Sequence, residues 1–372
     1  MIYFDNAATT FPKPPCVLKE MNFCLKKYCG NPGRSSHSLS FKSSEAVYST
    51  REKIAKMLSV PSPEQVVFTY NATYALNLAI KTFVSEKCHI LTSDLEHNSV
   101  MRPLARLKRE LGIEYTAFST KGDIESNIRR EIRQDTAGIV CSIASNLTGH
   151  RVPIEILSRI AEENGLFLII DASQAAGHEK IDLTKTPCDV LCAPGHKALF
   201  GIQGCGFAYF KDNRRKESFI EGGSGSDSAS LNMPELLPEG YEAGTLSVPA
   251  IVSLGSGIDY IEKIGINEIR KRLFELTGAM YERLESIPKV KLYKYGCGIV
   301  PFNIGSASSS KTAMKLDEYG ICVRGGLHCA PSIHRRLGTS DQGAVRISFS
   351  FLNNIRQVDK VYKAVREIAK EI

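Results

Sequence analysis

No apolar run in this 372-residue chain approaches the ~18 to 20 residues needed to cross a bilayer. The opening segment MIYFDNAATTFPKPP places an acid early and no basic stretch ahead of an apolar one, so no signal peptide is expected and the chain reads as cytoplasmic. A basic block is also missing. The 47 Lys and Arg exceed the 40 Asp and Glu by a net charge of +7, and they are dispersed, densest in RREIR (129–133) and HRR (334–336). With no aromatic-rich basic face, neither nucleic acid nor membrane is an expected partner; the small excess suits anionic small molecules such as phosphates or carboxylates. The eleven cysteines, an odd number, lack metal-site spacing: CLKKYC (24–29) and CDVLC (188–192) stand alone, with no second pair to complete a zinc site. No metal is expected, and reduced thiols are the default. No internal repeat is present.

What the chain does have is alternating periodicity. EAVYSTREKIAKMLSV (45–60), ATYALNLAIKTFV (72–84), HNSVMRPLARLKRELG (97–112) and PIEILSRIAEENG (153–165) carry helical spacing. Between and after them, EQVVFTY (64–70), CHILTS (88–93), TAGIVCSIA (136–144), LFLIIDAS (166–173), DVLCAP and GCGFAYF read as strands. Short continuous apolar runs mark strands buried on both faces. The alternation predicts an α/β domain around a mostly parallel sheet, whose ligands sit at the carboxyl ends of the strands. After about residue 255 the pattern becomes that of a smaller α+β domain, beginning with a long helix, GINEIRKRLFELTGAMYERLESI (265–287), and closing with a helix over 354–372. The expected division is 12–254 for the large domain, and 1–11 with 255–372 for the small one. EGGSGSDSASLNMPELLPEG (221–240) reads as a mobile loop near the site or at an interface.

Polar residues gather where three strands end: Asn146 in ASNLTGHRVP; Asp171, Gln174 and His178 in IIDASQAAGH; His196 and Lys197 in CAPGHK. Pyridoxal 5'-phosphate needs an amine for its aldehyde, a carboxylate for its protonated ring nitrogen, a donor for its phenolate oxygen, a flat face and an anion cradle. Lys197, among apolar residues, supplies the amine, and Asp171 the carboxylate. Gln174 and Asn146 can donate to the phenolate oxygen, and His97 in LEHNS can stack on the ring. The backbone N–H groups of Ala72 and Thr73, with the Thr73 hydroxyl, suit an anion at a helix N-terminus; His196 could add a ring donor, and EAGTLS offers Thr245. Each motif alone has a plainer reading: DASQ as a strand end with a helix cap, GHK as a turn with a solvated lysine, NAT as a cap. Their joint order and spacing favour the cofactor site.

The whole chain resembles the class V aminotransferases, the fold type I pyridoxal-phosphate enzymes, and within them the cysteine desulfurase and selenocysteine lyase branch. The resemblance runs through YFDNAATT (3–10), EHNS, SNLTGHRVP, DASQAAGH, GHKALFGIQGCGFAYF, EAGT and VRGGLHCAP, in order, over about residues 1–350. It implies a seven-stranded-type sheet in the large domain. Lys197 would bond the cofactor, with His97 stacked on the ring as an acid/base helper, Asp171 on the pyridinium and Gln174 on the phenolate oxygen. Thr73 and His196 would hold the phosphate, and Thr245 would reach the phosphate of the neighbouring subunit, so a homodimer is implied. Arg346, in AVRISFSF, would grip the substrate carboxylate as a planar fork, near Asn146. Cys329 would be the nucleophile that becomes a persulfide, its thiolate favoured by Arg324, His328, His334, Arg335 and Arg336; a packed structural cysteine is the plainer alternative.

Two features depart from the family. Pro194 stands where a serine hydroxyl is usual, and NATYA replaces a Thr-rich phosphate loop containing Glu. The implied activity is conversion of L-cysteine to L-alanine, with sulfur passed to Cys329 and then to an acceptor protein. L-selenocysteine cleavage, another C–S lyase or aminotransferase reaction, and a non-catalytic sulfur-carrier scaffold are the alternatives.

Overall fold

The computed structural model describes residues 1–33, 35–213, 219–226 and 228–372. The chain runs β1 (Ile2–Tyr3), α1 (Pro15–Lys27), α2 (Ser38–Leu58), β2 (Val66–Thr69), α3 (Ala72–Phe83), β3 (His89–Ser93), α4 (Asn98–Leu111), β4 (Glu114–Phe118) and α5 (Ile124–Glu131). There follow β5 (Thr136–Ser142), α6 (Ile154–Glu163), β6 (Phe167–Asp171), β7 (Val190–Pro194), β8 (Gly206–Phe210), α7 (Val248–Ile264) and α8 (Ile266–Glu285). The last part holds β9 (Val290–Leu292), β10 (Ile299–Ile304), α9 (Ser309–Glu318), β11 (Ile321–Cys322), α10 (Pro331–Leu337), β12 (Val345–Ser348) and α11 (Ile355–Glu371).

Seven strands form one sheet in the order β2-β8-β7-β6-β5-β3-β4, and only β8 runs against its neighbours. The expected α/β class with a mostly parallel sheet is what the chain adopts. β6 and β7 are buried at every position, as their unbroken apolar runs require of strands covered on both faces. Crossover helices cap in ways the sequence specifies. Asn71 accepts from the Tyr74 N–H at the start of α3, and α4 ends on Gly112 in the left-handed region.

Beyond α8 lies an antiparallel sheet, β12-β10-β9, and β1 pairs in parallel with β11. The first residues of the chain therefore dock on its last third, and Asp5 bridges to Ser348. The boundary expected at 254/255 falls inside α7, a continuous helix packed on α1 and α2. The segment 221–240 is irregular up to a short 3-10 turn at 239–241, and Asp227 within it lies outside the described residues. Among the described residues no helix is long and apolar enough to cross a membrane.

Candidate active site

The carboxyl ends of β2, β3, β5, β6 and β7 face one cavity of about 220 Å³. Parallel strands bring their ends to the same edge, so residues far apart in sequence meet there. Ala72 and Thr73 come from the start of α3, and His97 from the turn after β3. Asn146 follows β5, Asp171 and Gln174 end β6, and His196 and Lys197 follow β7. Arg346 enters from β12, and Arg324 lies beside it across a backbone bridge. Pro194 also lines the wall, where it supplies no hydroxyl.

Lys197 is partly buried in the cavity wall, and desolvation lowers its ammonium to about pKa 8 against the opposing pull of Asp171. The turn that carries it is fastened from the N-terminus. The carbonyl of His196 accepts from the Thr10 N–H (3.1 Å), the Thr9 hydroxyl (3.1 Å) and Lys13 Nζ (2.8 Å), and the Lys197 carbonyl accepts from the Thr10 hydroxyl (2.7 Å). Asp171 Oδ1 accepts from the Ser173 N–H (2.8 Å) and Oδ2 from the Ser142 hydroxyl (3.2 Å), so its carboxylate is aimed before any ligand arrives. Gln174 Nε2 donates one of its two N–H groups to the Ala7 carbonyl (3.0 Å).

His97 is the N-cap of α4. Its Nδ1 accepts from the Ser99 N–H (3.0 Å) and lies 2.8 Å from the Ser99 hydroxyl, which in turn lies 2.8 Å from the Thr73 hydroxyl. Nδ1 is thus the acceptor and Nε2 carries the proton of a neutral ring. Burial pushes this histidine down to about 4, more than Asp171 raises it. At α3, the Asn71 cap satisfies Tyr74, and the N–H groups of Ala72 and Thr73, which have no carbonyl of their own helix to bond, border the cavity.

Arg346 is 1% exposed and paired with Asp5, and its Nη1 donates to the Asn146 carbonyl (2.9 Å). The Asn146 amide donates to the His328 carbonyl (2.8 Å), and the Asn98 N–H to the Cys329 carbonyl (2.8 Å). Cys329 itself is exposed and is not part of the cavity wall. Its turn is clamped to the site's rim through two residues, His328 and Cys329, whose φ angles of 52° and 56° are in the left-handed region. For residues with a Cβ that conformation costs about 1 to 3 kcal/mol each and persists only where contacts enforce it.

The electropositive surroundings expected for Cys329 are reduced. His328 and His334 are buried, stacked 5.9 Å apart, and driven downward by desolvation, so both rings are neutral. Arg336 is paired with Asp94 at 3.0 Å. Thr245 and His178 line two other cavities, so neither meets Lys197 within one chain.

The sequence reading did not single out Asp5, Glu96, Ser99 or Ser142. Asp5 lies inside the quoted block YFDNAATT, and Glu96 and Ser99 lie inside EHNS, where proximity to His97 was the available signal; Ser142 needs the strand register to be seen.

Three buried polar atoms bordering the cavity, Asn146 Oδ1, His196 Nδ1 and Arg346 Nε, have no hydrogen-bond partner. Buried polar atoms are rarely left so, and their convergence on one cavity with an amine, a carboxylate and helix N–H groups fits a ligand bearing an aldehyde, a basic ring nitrogen and a phosphate.

Residues 2–361 match the profile of the class-V aminotransferases. A probable cysteine desulfurase of Methanothermobacter thermautotrophicus is 31% identical over 381 residues, spanning 99% of this chain and 94% of its own. Another probable cysteine desulfurase, from Pyrococcus abyssi, is 30% identical over 100% of this chain and 95% of its own. Among solved structures, the apo cysteine desulfurase of Thermococcus onnurineus NA1 superposes with a TM-score of 0.92 at 29% identity, covering 100% of this chain and 95% of that one.

Proposed function

Because the chain belongs to the class-V aminotransferase family, we propose that it is a pyridoxal-phosphate-dependent cysteine desulfurase that converts L-cysteine to L-alanine and takes the sulfur onto Cys329. The observation that carries the reading is the desolvated lysine and the buried carboxylate, Lys197 and Asp171, facing one cavity with a helix N-terminus at its wall. The family relatives named above support it.

Bound pyridoxal phosphate supplies an electron sink for the bonds around the substrate's α-carbon. Lys197 would hold it covalently, Asp171 its ring nitrogen, and His97 its face. Gln174 and Asn146 would serve the phenolate oxygen. Ala72, Thr73 and His196 would hold the phosphate, with Thr245 reaching the phosphate held by a second copy in a homodimer. Arg346 would orient the substrate carboxylate with Asn146 beside it, and the Lys197 amine would accept the α-proton.

At the sulfur, the Cys329 thiolate forms an S–S bond while the substrate Cβ–S bond breaks. The electron pair of that bond stays with carbon, which takes up a proton and becomes the methyl group of alanine. The step is redox-neutral overall and leaves a persulfide for an acceptor protein. Residues 12–254 would form the cofactor-holding unit, and 1–11 with 255–372 the unit that brings Arg346 and Cys329.

The test is to mix the purified, cofactor-loaded chain with L-cysteine and measure alanine together with the mass of the Cys329 peptide. Alanine should form and the peptide should gain one sulfur atom. Lys197→Ala should lower the rate by about 10² to 10⁴-fold, the contribution of a positioned proton acceptor. Cofactor bound with neither product formed would sink the desulfurase reading. A Cys329→Ala variant that stays fully active would turn it toward a lyase that does not use this thiol, and a faster reaction with L-selenocysteine would reassign the substrate.

A further inference from the structure

The loop after β3 buries an acid that the chemistry above leaves unused. Glu96 is 0% exposed and immediately precedes His97. The groups facing it are the Ser93 hydroxyl from β3, the Ser142 hydroxyl and the Cys141 thiol from β5, and, behind Ser142, the Asp171 carboxylate from β6. No cation is among the groups that act on it, and Cys141 stays a neutral thiol because burial raises it far above its ordinary value.

The hydrogens can be counted. Glu96 Oε1 accepts from the Ser93 hydroxyl (2.5 Å) and is the nearer acceptor of the Ser142 N–H, at 2.9 Å against 3.1 Å to Oε2, so it takes the part of the carbonyl oxygen of the group. Ser93 has no second proton to give, and its oxygen accepts from the Leu95 N–H (3.1 Å). The Ser142 oxygen then lies between two carboxyl oxygens, 2.7 Å from Glu96 Oε2 and 3.2 Å from Asp171 Oδ2. It has one proton for two neighbours. With both acids ionised, one of those contacts would set oxygen against oxygen with nothing between, in a site of low dielectric. One extra proton completes the chain. Asp171 borders the cavity and feels Lys197, whereas Glu96 is fully buried and feels the like charge of Asp171.

We infer that Glu96 is held as the neutral acid and acts as a positioning residue, donating from Oε2 to Ser142, whose hydroxyl donates to Asp171 Oδ2 and holds that carboxylate in place. The consequence for catalysis rests on the reading of Asp171 as the partner of the cofactor's ring nitrogen; the proton itself does not. Burial is the direct cause of the proton's retention, raising Glu96 to about 7 in spite of the hydrogen bonds it accepts.

The test is carbon NMR of the full chain labelled at its Glu and Asp carboxyls, recorded loaded with pyridoxal phosphate and again after stripping it. One glutamate should remain protonated after the others have ionised, and Glu96→Gln should delete that resonance. Ser142→Ala should raise the proton affinity of Asp171 roughly tenfold, the scale of one lost hydrogen bond to a carboxylate. Glu96→Gln keeps an N–H facing Ser142 and should leave Asp171 where it was. Glu96 ionising with the surface glutamates, or Asp171 unmoved by Ser142→Ala, would overturn the inference. Should either variant fail to fold, the wild-type titration of Glu96 alone decides it. A chain that does not bind pyridoxal phosphate would end the functional reading, while the stripped-protein spectra would still report on the relay.

Discussion

Lys197 differs from the chain's surface lysines in what its ammonium would lose on entering the fold. Desolvation strips much of its water, and Arg346 and Arg324 add repulsion; Asp171 restores only part of the loss, leaving the group at about 8. The sign is that of a depressed base: the folded chain sheds this proton earlier than the unfolded one. The group's contribution to stability therefore grows as pH rises above about 8 toward the ordinary lysine value, and is lost as pH falls through 8. The same shift sets reactivity, since only the free amine attacks an aldehyde. Trapping of pyridoxal phosphate by borohydride on the stripped chain should rise through about pH 8 and level off above it, with the label on the Lys197 peptide. A midpoint near that of an unperturbed lysine would contradict this. At this scale Lys197 and Asp171 were legible because each follows a buried strand run and a turn signal. Ser142 was not, since its place beside Asp171 is made by the register of β5 against β6; Glu96 stands beside His97 in EHNS, but nothing in the sequence shows that it is buried or what it faces. The reading of His328 and His334 as charged failed for a related reason: exposure cannot be read from a run of polar letters, and both rings are buried.

The elements that hold the lysine turn were the least visible ones. Strands β3, β5, β6 and β7 announce themselves as short apolar runs, and α4 and α6 carry a polar face. α7 carries none: Val248, Ala250 to Ile258 and Ile261 are all buried, so no periodicity distinguishes it, and its Ser and Gly residues read as loop. α1 has few buried positions, and β4 is an edge strand with only Phe118 buried, so each lacks the pattern that would have revealed it. The small residues of α7 have a purpose. A Cβ on Gly257 would run into the Leu199 carbonyl, and one on Gly255 would stand 2.6 Å from the Thr50 hydroxyl of α2. α7 thus lies directly against the turn after Lys197. Gly257→Ala should cost about 1 to 3 kcal/mol in denaturant unfolding, as overpacking does. It should also lower turnover about a hundredfold if the turn moves by about 1 Å. Gly278→Ala in α8, where the new methyl meets open space, is the control and should stabilise by about 0.5 to 1 kcal/mol. Equal effects from the two would mean that close packing of α7 does not position the lysine.

On the scale of the whole molecule, the role proposed for Thr245 requires a second copy of the chain. Thr245, expected at a phosphate, lines a separate cavity with Tyr70, Tyr74 and Gly204. It is not adrift there: Glu242, three residues before it, is 8% exposed, pairs with the buried Arg51 of α2 and accepts the Phe68 N–H of β2. A buried pair of this kind resists displacement, because losing one partner strands the other charge at about 3 to 5 kcal/mol. Thr245 therefore keeps its place, and under the proposed role a hydroxyl so fixed would serve a phosphate held by another copy. Exposed apolar side chains are frequent on α1 and α2, with Leu18, Phe23, Leu25, Phe41 and Tyr48 all at least 44% exposed, as expected of surface that a second copy would cover. The arrangement predicts complementation. Lys197→Ala chains lack the anchor but keep Thr245; Thr245→Ala chains keep the anchor but lack the hydroxyl that completes their partner's site. A mixed dimer would contain one site with both lesions and one with neither. Unfolded together and refolded, the two variants should regain alanine formation from L-cysteine beyond the sum of the separate proteins, while each alone stays low. If Thr245 serves its own chain, both sites of the mixed dimer carry a lesion and mixing restores nothing.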